Sequence, residues 1–378
     1  MPPEPVLSQI RAALATVNDP EIRRPITDIG MVGDIEIDGS GRVGVQIFLT
    51  VAGCPMKDTL TRDVTGAVSA VAGVAGVDVR LDVMSPEQRK QLQTLLRGDN
   101  PEPEIPFAKP NSLTRVYAVA SGKGGVGKSS VTVNLAVALA ERGLSVGVLD
   151  ADIYGFSIPR MLGVTGKPTQ VERMIMPPQA HGVKVISIGM FTPGNTPVVW
   201  RGPMLHRALQ QFLADVFWGD LDVLLMDLPP GTGDIAISLA QLVPSAEILV
   251  VTTPQQAAAE VAERAGSIAT QTHQQVVGVI ENMSWLELPD GTKMDVFGTG
   301  GGQVVADALT RTLGTPVPLL GQVPLEPQLR QSGDDGVPLV LTDPVSAAAR
   351  ALLGIADTLA ARQRGLAGRS LSLTPVGR

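Results

Sequence analysis

The chain has 378 residues, 44% hydrophobic and 18% charged, which is ample for a folded core and wrong for a disordered chain. A formal net charge of −7 argues against a wholly basic nucleic-acid surface, and a single cysteine excludes an intramolecular disulfide and a complete thiolate metal cage. The sequence does not open with a basic start and an apolar run, and its longest apolar runs are strand-length. The expected setting is therefore the cytoplasm, with neither membrane nor nucleic acid as partner.

Residues 1–98 read as a small α/β domain. The pattern predicts a helix over 6–17, paired strands over 34–38 and 42–50 joined through Gly39-Ser40-Gly41, and a helix over 57–71. A third strand over 77–83 and a helix over 85–96 follow, the latter opened by Ser85 as N-cap with Pro86 in its first turn. Residues 99–113 hold four prolines in fifteen residues, which stiffen the backbone and remove donors, so this stretch reads as a linker.

From residue 114 the pattern changes. Short apolar strands recur at 116–120, 145–150, 183–188, 223–227, 247–252 and 276–281, with helical stretches between most of them. Such alternation predicts an α/β fold, a three-layer domain over 114–365 whose mainly parallel sheet is covered on both faces. Residues 366–378 carry no usable periodicity and read as a loose tail.

The strongest signal is Ser121-Gly-Lys-Gly-Gly-Val-Gly-Lys-Ser-Ser130, which contains G-x-x-x-x-G-K-[ST] between a predicted strand and a predicted helix. Gly122, Gly124, Gly125 and Gly127, with Val126 among them, let the backbone curl so that its N–H groups point inward at phosphate oxygens. The helix start at Ser129 and Ser130 adds its dipole, Lys128 supplies a point charge, and the Ser129 hydroxyl can reach Mg2+. Two strands end in carboxylates. Asp150 and Asp152 close one, with Asp152 a candidate to orient the attacking water and Asp150 a support for Mg2+ or the loop; Asp227 closes another and is placed to hold Mg2+.

Lys123 is not required by an ordinary phosphate loop. The K-G-G-x-G-K-[ST] form resembles the deviant Walker A class of the MinD, ParA and nitrogenase iron-protein group. The resemblance implies an ATP-dependent homodimer in which Lys123 reaches across to the partner's phosphates; a solvated loop lysine is the other reading. Farther along come D-A-D-I-Y-G from Asp150, W-R-G-P-M from Trp200, D-L-P-P-G-T-G-D from Asp227, E-N-M-S from Glu281 and F-G-T-G-G from Phe297. Together these resemble the Mrp/ApbC family of ATP-dependent iron–sulfur cluster carriers. That resemblance implies ATP hydrolysis with Mg2+ and delivery of clusters to apo iron–sulfur proteins or assembly factors. It also implies an adenine contact from Asn282, catalytic roles for Lys123, Lys128 and Asp152, and places for Arg201 and Met204 near the switch regions.

The N-terminal segment is similar to the small domain of SufT and PaaD, through D-P-E at Asp19, D-I-G at Asp28 and T-V-A-G-C-P at Thr50. One departure stands out. Family members place a C-x-x-C pair shortly after N-M-S, and two such pairs ligate a cluster between subunits. Here residues 285–295 contain no cysteine, and oxygen ligands substitute poorly for soft thiolates. Cys54 remains, with two readings: an iron or cluster ligand completed by other thiols, or a small buried residue. His181, His206 and His273 lack ligand spacing. Two other functions fit the same loop, a MinD- or ParA-like positioning ATPase and a cluster-free, ATP-gated scaffold.

Overall fold

In Arg-Val-Gly-Val-Gln-Ile-Phe-Leu every second side chain is aliphatic, and a strand turns those four to one face. The computed structural model describes residues 7–51, 56–97, 104–109, 111–152, 155, 157–191, 202–231, 234–255, 258–288 and 290–362. By contacts the chain forms two compact units, one of Met1–Pro103 with Gly166–Pro178 and Asp215–Gly219, the other of Glu104–Thr165, Gln179–Ala214 and Asp220–Arg378.

The first unit runs α1 (Leu7–Leu14), β1 (Val32–Ile37), β2 (Arg42–Leu49), α2 (Lys57–Ser69), β3 (Gly76–Val83) and α3 (Pro86–Arg97). Its sheet has the order β1-β2-β3, with β1 antiparallel and β3 parallel to β2. Val43, Val45, Ile47 and Leu49 of β2 are buried with Ile10, Leu14, Leu60, Val64 and Val68 from α1 and α2. α3 starts with a reciprocal capping box: Gln88 N–H donates to Ser85 Oγ at 3.2 Å, and Ser85 N–H donates to Gln88 Oε1 at 2.8 Å. A hairpin of Thr169–Val171 and Met174–Met176, which periodicity did not reveal, adds Val171, Met174 and Met176 to the same core. Three-residue strands are too short to show an alternation.

The second unit begins inside the stretch that reads as linker. A single 3-10 turn, Pro106–Ala108, buries Phe107, whose carbonyl accepts a hydrogen bond from Ser245 Oγ at 3.2 Å. Then come β4 (Arg115–Ala120), α4 (Lys128–Glu141), β5 (Val146–Asp150), β6 (Gln179–Ala180), β7 (Val183–Ser187), α5 (Gly202–Ala214), β8 (Val223–Asp227) and α6 (Asp234–Leu242). The unit ends with β9 (Glu247–Thr252), α7 (Ala258–Thr272), β10 (Val276–Asn282), α8 (Gly301–Leu313), β11 (Leu319–Val323), α9 (Pro327–Asp335) and α10 (Ala347–Ala361). The eight-stranded sheet has the order β11-β10-β9-β4-β8-β5-β7-β6, parallel throughout except for the short β6. β4, β5 and β8 are apolar almost without interruption because both faces are covered.

β4 sits between β8 and β9, while the chain leaving it crosses β8 to reach β5. Open parallel sheets bind ligands at such points, outside the carboxyl ends of the strands. β11 escaped the sequence reading because it is short, carries Gly321 and Gln322, and is only half-buried over most of its length. Gly321 is required there: a Cβ would fall 2.8 Å from Ile355 Cγ1 of α10.

Candidate functional site

β4 delivers the chain to Ser121, and α4 begins at Lys128 behind a left-handed Gly127 with φ 75°. Gly125 is also left-handed, at φ 77°. An L side chain pays a steric penalty there that glycine does not. A Cβ on Gly127 would collide with the Asn282 amide, and one on Gly122 would lie 2.8 Å from Val261 Cα. The loop is held from outside by Arg264, which donates to the Gly122 carbonyl at 2.7 Å, and by Gly231 N–H, which donates to the Ser121 carbonyl at 2.9 Å.

α4 opens without a side-chain cap. Its first residue, Lys128, is 6% exposed, with Nζ 2.7 Å from Asp227 Oδ2. The two form a buried ion pair, so the ammonium is held at the site by a carboxylate that belongs to the site itself. Ser129 Oγ donates to Asp227 Oδ2 at 2.6 Å, and Thr132 Oγ1 lies 2.7 Å from Asp227 Oδ1. β8 and β5 pair in register, which sets Asp227 beside Asp150, both fully buried. Burial, then the Asp227 carboxylate next to it, pushes Asp150 up to about 7. Ser187 Oγ donates to Asp150 Oδ2 at 3.0 Å and Asp152 N–H to its Oδ1 at 3.2 Å. Thr132 and Ser187 were not singled out from sequence, since no motif marks a lone hydroxyl that meets its carboxylate only through the fold.

The other expected site residues fall as follows. Asp152 lies at the rim, partly exposed, its Oδ1 accepting from Gly155 N–H at 3.1 Å. Lys123 bonds within its own chain, Nζ donating to Gln255 Oε1. Asn282 ends β10 and is 2% exposed; its Nδ2 donates to the Val126 carbonyl at 2.9 Å, while its Oδ1 has no hydrogen-bond partner among the described residues. A cavity of about 360 Å3 opens beside it, lined by Gly127, Ser130, Met161, Asn282, Leu325 and Leu329 among others. Met204 is half-exposed on α5, whereas Trp200, Arg201, Cys54 and the tail over 366–378 lie outside the described residues. Among the described residues no cluster of three or more His, Cys, Asp or Glu side chains is arranged to hold a metal ion, and no helix is long and apolar enough to cross a membrane.

Glu281 carries a role its motif did not disclose. It is 1% exposed; Oε2 accepts from Gly302 N–H at 2.5 Å at the start of α8, and Oε1 accepts from Gln322 Nε2 at 2.7 Å. In the first unit Asp19, 6% exposed, accepts from the N–H groups of Glu21 at 3.0 Å and Ile22 at 2.7 Å. Burial pushes Asp19 up, and burial followed by the Asp19 charge pushes Glu21 up to about 7.

The residues present fit a nucleoside triphosphate with Mg2+. A buried ammonium paired with a carboxylate of the same site, a glycine-lined helix start without a side-chain cap, and a hard oxygen set from Ser129 and Asp227 are what phosphate and magnesium require. Residues 285–295 offer no thiolate for an iron–sulfur cluster.

Comparison with known proteins agrees with that chemistry. A family model described as NUBPL iron-transfer P-loop NTPase matches residues 112–360, and one described as iron-sulfur cluster assembly protein matches residues 7–79. The iron-sulfur cluster carrier protein of Mycobacterium tuberculosis is 69% identical over 369 residues, covering 98% of this chain and 97% of that protein. Its counterpart from Synechocystis sp. is 40% identical over 361 residues, covering 93% and 96%. Among solved structures, the nucleotide-binding protein from Archaeoglobus fulgidus in complex with ADP is similar with a TM-score of 0.51 and 34% identity, covering 61% of this chain and 92% of that one.

Proposed function

The chain belongs to the NUBPL-type family of iron-transfer P-loop NTPases, and from that premise we propose that it is an ATP-hydrolysing iron–sulfur cluster carrier. In this reading it works as a homodimer in the cytoplasm and delivers clusters to apo iron–sulfur proteins or assembly factors. Residues 1–98 form its SufT/PaaD-like domain and 114–365 its ATPase domain. The observation that carries the nucleotide half is the Lys128 ammonium, buried beside Asp227 at the uncapped start of α4.

Backbone N–H groups from Gly122 to Ser130 cradle the phosphates, and Lys128 supplies their counter-charge. Ser129 and Asp227 hold Mg2+, which when bound neutralises charge on the phosphate oxygens. Asp152 orients the attacking water, Lys123 acts on the phosphates of the partner subunit, and Asn282 meets the adenine at the mouth of the cavity. Lys128, held in place by its ion pair with Asp227, turns to the phosphates when they bind, so the charges of the site are placed before the ligand arrives.

Calorimetry with Mg·ATP and a turnover assay test this half. Lys128→Ala is expected to abolish binding, and Lys123→Ala to keep binding while losing turnover; undiminished hydrolysis in both variants would reject the mechanism. The cargo half is tested by anaerobic reconstitution of wild type and Cys54→Ser, reading bound iron, sulfide and transfer to an apoprotein. The missing cysteine pair at 285–295 favours one second reading, an ATP-gated scaffold that holds no cluster. That reading gains if the wild type hydrolyses ATP but retains no iron.

A further inference from the structure

Asp227 is fully buried at the end of β8 and, among the described residues, has three close polar partners, all from α4. Two of them approach Oδ2, Lys128 Nζ at 2.7 Å and Ser129 Oγ at 2.6 Å. Both are groups the proposed reading assigns to the ligand, the ammonium to phosphate and the hydroxyl to magnesium. A bound nucleotide with its metal therefore competes for them. The third, Thr132, lies on the same helix face one turn deeper and is 0% exposed, out of reach of either ligand.

A threonine inside a helix ordinarily gives its proton to the carbonyl four residues back. Thr132 has that option, with Lys128 O at 3.0 Å, but Asp227 Oδ1 is nearer at 2.7 Å. A hydroxyl has one proton to give, and an ionised carboxylate is a stronger acceptor than a carbonyl. The proton goes to Asp227, which fixes Oδ1 and leaves Oδ2 as the oxygen free to turn to a ligand.

We propose that Thr132 is a positioning residue, the buried hydroxyl that keeps the Asp227 carboxylate aimed once nucleotide and metal have drawn away its other two partners. The inference rests on Lys128 and Ser129 being ligands of phosphate and magnesium. Groups that orient a metal's carboxylate from behind typically change metal affinity about 10- to 100-fold when removed. Valine has the shape of threonine without the hydroxyl, and serine keeps the hydroxyl without the methyl.

The test loads wild type, Thr132→Val and Thr132→Ser with a fluorescent ADP and titrates Mg2+, reading nucleotide emission rather than turnover; Mn2+ binding by electron paramagnetic resonance repeats it. Thr132→Val is expected to raise the metal midpoint ~10- to 100-fold, with metal-free ADP affinity held within ~3-fold, and Thr132→Ser to recover most of the loss. Should the valine variant not fold, Thr132→Ala, which also lacks the hydroxyl, reads the same contrast. A wild-type midpoint in a folded Thr132→Val, or equal impairment of the valine and serine variants, would overturn the inference alone. A wild type whose nucleotide affinity ignores Mg2+ would overturn the ligand assignment and the inference with it.

Discussion

Two glycine-rich turns enter helices in the same unit, and both end in a left-handed glycine without a side-chain cap: Gly127 at φ 75° before α4 and Gly300 at φ 74° before α8. Both bring a glycine-rich turn to the backbone donors of a helix start. Inside they differ. At α8 the protein supplies its own anion, the buried Glu281 carboxylate 2.5 Å from Gly302 N. At α4 no side chain caps the helix start, and the carboxylate nearby, Asp227, meets the Lys128 ammonium and the Ser129 hydroxyl rather than the backbone donors. A helix start carries partial positive charge and unpaired donors whichever residues precede it. Whether it binds a ligand depends on whether the fold has already filled it, and of these two starts the one at α4 is left open.

The largest expected effect breaks the open turn. Gly127→Ala puts a Cβ into the Asn282 amide and forces an L residue to φ 75°. The left-handed conformation costs about 1–2 kcal/mol, and loss of the bond from Asn282 to Val126 about 1 kcal/mol more. Relief of that strain turns the N–H groups away from the phosphates, so Mg·ADP affinity is expected to fall ~100-fold, each ~1.4 kcal/mol being tenfold. Titration calorimetry checks this, and wild-type affinity would mean that loop curvature does not set binding.

Next comes the filled turn. Glu281→Ala strips Gly302 N–H and Gln322 Nε2 of their acceptor in a buried place, at about 1–3 kcal/mol of stability. Mg·ADP affinity should move by less than ~5-fold, well below the ~100-fold loss expected at the open turn. The same variant makes α8 resemble α4, a start with donors and no anion. Inorganic phosphate is therefore expected to raise the melting temperature of Glu281→Ala more than that of wild type, by linkage. Equal shifts would show that an emptied helix start is not enough and that the lysine makes the site.

How much of this was legible follows from how local each signal is. The phosphate loop, the strand end at Asp227 and most parallel strands are written in contiguous residues, because glycine freedom, apolar runs and helix starts act over a few positions. The pairings that finish the site span the chain: Thr132 with Asp227, Ser187 with Asp150, Asn282 with Val126, Glu281 with Gly302. Register in the sheet creates them, and no local pattern shows that Asp150 and Asp227 stand opposite each other. The F-G-T-G-G motif was visible, but its role was not, since the anion at the helix it opens, Glu281 of E-N-M-S, lies twenty-one residues before Gly302. β11 and the hairpin at 169–176 were lost for want of length.

The smallest expected effect lies where the two turns share a support. Gly301 packs so tightly on the end of β9 that a Cβ would fall 2.7 Å from Pro254 C, and the next residue, Gln255, receives the Lys123 ammonium. The filled turn thus braces the segment that holds the lysine of the open one. A neutral amide oxygen is a weaker acceptor for an ammonium than a phosphate oxygen, so the contact is one that a triphosphate can displace. A hydrogen bond to a charged group near solvent contributes about 1–2 kcal/mol at most. If Lys123 must leave its own chain to act, Gln255→Ala frees it and raises ATP turnover by ~2- to 10-fold, most at low protein concentration where pairing of subunits limits the rate. Turnover measured against protein concentration decides the point, because a lysine that works from its place on Gln255 would make the same variant slower at every concentration.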